Sequence, residues 1–169
     1  MNEETEAEIM QRKDTKAIIL YYRSIPEMKR LLLQEKADLE SEYCGLNGVP
    51  TDSMPRGTMP GNPVENMAIA LDESGAADRL REIECRAQEL ESDRQAIQGA
   101  LDAVNGKYKR ILLMRYVHEY SWGKISALLG APDSTVRHWT DRAVLRLGKA
   151  LEDAGENEEL LRRASRARI

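Results

Sequence analysis

Between Lys124 and Lys149 the chain spaces cations, hydroxyls and one imidazole in a way that suits a polyanion. Ser134, Thr135, Arg137, His138, Asp141, Arg142, Arg146 and Lys149 all fall in one helical stretch, 133–150, and Lys124 precedes it. Arg and Lys carry charge to phosphate oxygens, and Arg can also fork onto the O6 and N7 of guanine. Serine and threonine hydroxyls bond phosphates or base edges. Wound at about 100° per residue, Ser134, His138, Arg142 and Lys149 share one side. Thr135 and Arg146 lie on one flank with Trp139, and Arg137 and Asp141 on the other. Ser134, Thr135, Arg137, His138, Asp141 and Arg142 are the candidates for contacts near bases, and Lys124, Arg146 and Lys149 the candidates for phosphate.

Catalytic arrangements find no footing. The two histidines, His118 and His138, sit in different elements, and neither GxxxxGK[ST] nor HExxH occurs. Cys44 and Cys85 lack CxxC or histidine spacing and read as reduced thiols. The expectation is no enzyme, no cofactor and no metal.

A reading helix needs a scaffold, and the flanking residues supply one. Val136, Thr140, Ala143, Val144, Leu147 and Leu151 gather into a stripe opposite the polar face, with Trp139 at its border. Ser121 is placed to cap a preceding helix whose inward face is Trp122, Ile125, Leu128 and Leu129. Gly130 then allows a left-handed turn, and Pro132 with Asp133 suits the next helix start. Ahead of these, Ile111, Leu112 and Val117, with Tyr108 and Tyr116, anchor a further element. Leu145, apolar on the outer face, points to a protein contact.

Charge divides along the chain. Residues 105–151 hold nine Lys/Arg against three Asp/Glu, a balance of +6. Residues 1–104 hold 12 against 21, a balance of −9, within a net −4 overall. A basic head on an acidic shaft places the polyanion at the head. The shaft reads as helical: "RSIPEMKRLLLQEKADLESEY" has a capping box at Ser24 and Glu27, then Ile25, Met28, Leu32 and Leu39 with Glu35 interrupting. "KAIILYY" reads as a separate short helix. Gly and Pro crowd a loop at about 45–63. Leu80, Ile83, Ala87, Leu90, Ile97, Leu101 and Val104 then form a heptad with Arg94 in one seam position, stopped by Asn105-Gly106.

The expected fold is all-α: a helical hairpin or coiled coil over 1–104, a helix-turn-helix over 105–151, and a polar tail over 152–169. The shaft is expected to make a homo-oligomer. No apolar run is long enough to span a membrane, and the acidic N-terminus lacks a signal segment, so a cytoplasmic location is expected.

"GKYKRILLMRYVHEYSWGKISALLGAPDSTVRHWTDRAVLRL", Gly106 to Leu147, resembles the region-4 helix-turn-helix of sigma-70 family factors. "LLMRYVHEYSW", "ISALLG", Thr135-Val136 and Arg142-Ala143 carry the resemblance. It implies major-groove binding to double-stranded DNA and host RNA polymerase as a further partner. The order of helix, "DSMPRGTMPGNP" loop, long helix and head is similar to ArpU/RinA-type regulators of phages and prophages. That implies a transcriptional regulator, in this group often an activator of late genes, in a bacterial host cytoplasm. Lys124 stands where sigma-like helices usually carry Glu, Trp139 where a polar residue is usual, and Thr140 where an apolar one is. A complete sigma factor, with a region-2 module, is not expected. Two other readings are open: a phage terminase small subunit on packaging-site DNA, and a region-4-like protein that docks on polymerase without reading DNA.

Overall fold

The computed structural model describes residues 6–45 and 75–167. The expected loop at about 45–63 lies, beyond Gly45, outside the described residues. Every described element is helical, as the all-α expectation required: α1 (Glu6–Gly45), α2 (Ala76–Ala103), α3 (Gly106–Leu112), a π turn (Leu113–Val117), α4 (Trp122–Leu129), α5 (Asp133–Asp153) and α6 (Asn157–Arg166). They divide into two compact units, one drawn from Met1–Ile25 and Glu91–Ile169, the other from Pro26–Leu90.

The first helix corrects the sequence reading at Ser24. No helix starts there: α1 runs through Ser24 and Pro26, and "KAIILYY" is part of it. The Ser24 hydroxyl donates back to the Tyr21 carbonyl at 2.7 Å instead of capping forward. Proline in a helix interior removes one backbone donor. The apolar ladder before it outweighs that loss, because Ile18, Ile19, Tyr21 and Ile25 are all buried. Full burial of one such side chain stabilises by about 1.5–3 kcal/mol. The boundary between the two units nevertheless falls at Pro26.

In the unit Pro26–Leu90, ion pairs join α1 to α2. Arg79 reaches Glu35 at 2.6 Å, and Lys36 pairs with Glu84. Glu35, the interruption in the apolar pattern, is thus an ion-pair partner. Ile83 and Leu90 are buried, and Leu80, Ala87, Met28, Leu32 and Leu39 half-buried.

In the other unit the earlier part of α1 is joined to α2, with the Tyr21 hydroxyl on Asp93 at 2.7 Å and Tyr22 on Gln98. Ile97, Leu101 and Val104 are buried as the heptad requires, and Arg94 lies half-buried against Glu91. The N-terminal part of α1 also follows α5: Gln11 donates to Glu152 at 2.8 Å, and Thr15 lies against Gly148. The tail is an ordered helix, α6, with Leu160 and Ala164 buried. Asn105 does not stop α2 in a left-handed turn. Its side chain accepts from the Lys107 N–H at 3.1 Å and caps α3.

Candidate nucleic-acid interface

Three short elements bring the reading helix into place. In α3, which packs against α5, Ile111 and Leu112 are fully buried. The chain then widens into the π turn, where the His118 N–H reaches the Leu113 carbonyl at 2.9 Å. Glu119 follows with φ 55°, a left-handed residue that reverses the backbone, and Tyr120 N–H closes on Met114 O at 2.9 Å. Arg115 secures the same bend by donating to the Tyr120 carbonyl at 3.0 Å.

Ser121 caps α4 as expected, accepting from Lys124 N–H at 3.3 Å. Gly130 adopts φ 61° and ψ 35°, the left-handed turn predicted for it. Across that turn Ala131 N–H bonds Ser126 O, and Ser126 Oγ donates to Ala131 O. Pro132 stands at the N-cap and α5 begins at Asp133. Met114, Ile125 and Val136 form the core between these helices, with Tyr120, Trp122, Leu129 and Ala131 against it, whereas Leu128, expected on the inward face, is exposed. Thr140 is buried in the apolar stripe because its hydroxyl is satisfied within the helix, bonding Val136 O at 2.8 Å. A hydroxyl at this position therefore costs the packing little.

The polar residues named from the sequence emerge on the outside of this frame. Ser134, Arg137, His138, Arg142, Arg146 and Lys149 are exposed on α5, and Lys124 is exposed on α4. Thr135 and Asp141 are half-buried on their flanks. Burial pushes the Tyr116 hydroxyl above its ordinary range, and the Asp141 carboxylate adds to the effect. Among the described residues, no cluster of three or more His, Cys, Asp or Glu could hold a metal.

Several cations of the head rest on aromatic rings, an arrangement that residue spacing does not reveal. Arg137 lies 5.2 Å from the centre of Trp122, whose ring also carries Arg115 at 4.4 Å. Lys124 lies 3.5 Å from Tyr120, Arg146 4.4 Å from Tyr108, and Lys107 3.0 Å from Trp139. Lys107 enters the basic balance of the head but not the set of site residues expected from sequence. The one available signal was Trp139, a large ring at the edge of a polar face.

This exposed polar helix, set beyond a left-handed glycine and an α4 of eight residues, is the geometry of a helix-turn-helix. Residues 94–147 match Sigma-70, region 4. The match begins at Arg94 in α2, earlier than the resemblance seen at Gly106, and ends at the same Leu147 in α5. It covers less than half of the chain. No curated protein and no solved structure matches. The matched stretch is a region-4-like, DNA-binding kind of helix-turn-helix domain, and that family is non-enzymatic. Its earlier start agrees with the packing, since Ile97, Leu101 and Val104 of α2 are buried in the same unit. No described helix is long and apolar enough to cross a membrane.

Proposed function

We propose that this chain is a sequence-specific, DNA-binding transcriptional regulator of phage or prophage genes, an activator of late genes that reads the major groove with α5. The observation that carries this reading is the exposed face of α5. There Ser134, His138 and Arg142 stand clear of the core, in a stretch that matches Sigma-70, region 4. His138 and Arg142 have no ion-pair partner among the described residues, so both are available to base edges. Thr135, Arg137 and Asp141 border the same surface. Lys124, Arg146 and Lys149 are the proposed phosphate contacts. The phage assignment rests on the order of elements, and the head, 105–151, is its reading module.

Association of copies through the helices of 1–104 belongs to this reading. Leu31 and Leu33 are 54% and 51% exposed on α1, apolar surface that their own unit leaves uncovered. Substituting both with Glu is expected to lower the molecular mass seen by sedimentation while helicity is retained.

A protein contact on the head has its own support. Leu128 is 49% exposed beside a hollow lined by Leu113, Met114, Tyr120, Lys109, Arg110 and His118. An apolar floor with Arg110 at its rim suits a segment of RNA polymerase, the partner such an activator would recruit.

The deciding experiment is retention of genomic fragments by the purified chain at controlled salt, followed by sequencing. Enrichment of a few sites upstream of late genes supports the reading. Enrichment within a terminase gene replaces it with packaging, and no enrichment over bulk fragments leaves polymerase docking without DNA reading.

A further inference from the structure

The proposed function accounts for the outer face of α5 but not for the reciprocal contact on its Trp139 flank. There α3 and α5 exchange cations and rings. Lys107 of α3 sits 3.0 Å above the centre of Trp139 of α5, and Arg146 of α5 sits 4.4 Å from the centre of the next α3 residue, Tyr108. Lys107 and Arg146 are exposed, whereas both rings are half-buried. Trp139 and Arg146 are seven residues apart, about 10 Å along the helix axis.

The identity of the partner matters electrostatically. Lys109, two residues beyond Lys107, is paired with Asp102 and its charge is neutralised locally. Neither Lys107 nor Arg146 has a carboxylate partner among the described residues. A ring holds a cation through its quadrupole and leaves the full charge in place. The ammonium keeps donors free for a second acceptor. A ring-held lysine has also surrendered rotamer freedom before any ligand arrives, so less ordering is left for binding to impose.

We propose that Lys107 and Arg146 form a phosphate-binding ridge along this flank, contacting the backbone of one strand of duplex DNA beside the groove that α5 enters. Trp139 is the positioning residue that holds Lys107 in place. The proposal rests on the DNA-binding reading above. It extends the contact surface from the reading helix to α3 and accounts for a tryptophan where the related helices usually carry a polar residue.

Phosphates neutralised by the protein are counted by the salt dependence of affinity, whose log–log slope changes by about 0.9 for each one. The full chain is titrated with a duplex of arbitrary sequence, about three helical turns long, and with fragments retained in the genomic selection, over a salt series. Lys107→Ala is expected to reduce the slope by about one on both, with site preference unchanged. Trp139→Leu is expected to do the same, and Trp139→Phe, which keeps a ring, to restore the slope. Helicity is checked in each variant, and Lys107→Ala, a substitution at an exposed position, stands alone if Trp139→Leu fails to fold. A slope unchanged in Lys107→Ala, with the parent chain binding duplex normally, overturns the ridge and leaves the DNA reading standing. A slope lowered by Trp139→Leu and not restored by Trp139→Phe overturns the positioning role. Failure of the parent chain to bind any duplex at low salt overturns the DNA reading and the ridge together.

Discussion

Arg163 of α6 donates to Asp93 of α2, and Asp93 is 4% exposed. The second carboxylate oxygen of Asp93 accepts from the Tyr21 hydroxyl of α1 at 2.7 Å. Three helices thus meet at one buried carboxylate, and the tail helix is tied to the base of the domain that carries α5. Leu160 and Ala164 bury the apolar side of α6 at the same place. Arg163→Leu is expected to destabilise the domain by about 1–3 kcal/mol, because it strands a buried acceptor. Adding Asp93→Asn should recover part of the loss. Urea unfolding checks this, and equal losses in the single and double variants would show that Asp93 does not need its cation.

At Gly148 α5 lies close against α1. A Cβ at this position would lie 2.6 Å from Thr15 Oγ1 and 3.2 Å from Gln11 Cγ. Thr15 Oγ1 is held by its bond to Gln11 O at 2.8 Å and cannot swing aside freely. Gly148→Ala is therefore expected to cost about 1–3 kcal/mol despite alanine's better helix propensity. Thr15→Ala in the same chain should relieve it. A rise in the urea midpoint of Gly148→Ala would show that the two helices are not in contact there.

Gly130, at φ 61°, closes the turn between α4 and α5. A Cβ on Gly130 would meet no atom within 4 Å, so only the backbone conformation resists substitution. Gly130→Ala should cost about 1–2 kcal/mol, and Gly130→Asn less, since Asn tolerates this region better. Thermal unfolding of the three chains gives the order directly.

His138→Ala with Arg142→Ala is expected to abolish preference for selected DNA sites while leaving helicity and molecular mass unchanged. Binding to arbitrary duplex should weaken only modestly, as the phosphate contacts lie elsewhere. Unchanged affinity for a selected fragment would move site recognition off α5.

Hydrogen bonds from Lys109 and Gln98 hold the Asp102 carboxyl below its ordinary range at the joint between α2 and α3. A depressed carboxyl contributes stability above its unfolded value, about pH 4, and loses it as pH falls through the lower folded value. Asp102→Asn should lower the thermal midpoint at about pH 7 and make no difference near about pH 2. A constant offset across that range would mean the carboxylate charge plays no part.

Much of this was legible in residue spacing alone. The α5 stripe of Val136, Ala143, Val144, Leu147 and Leu151, the Ser121 cap and the Gly130 turn depend on local periodicity and backbone preference, which sequence carries directly. The polar face of α5 followed from the same winding. Ser24 misled because a capping signature is local, whereas the burial of Ile18, Ile19 and Ile25 that carries α1 through Pro26 comes from helices distant in sequence. Asn105 misled in the other direction, capping the helix after it. Only the tertiary structure decided which cations rest on rings and which on carboxylates. Lys107 and Lys109 are equivalent in sequence, yet one meets Trp139 and the other Asp102. Periodicity specifies the face of a helix that is buried; what that face meets is set by packing between segments the chain brings together only when it folds.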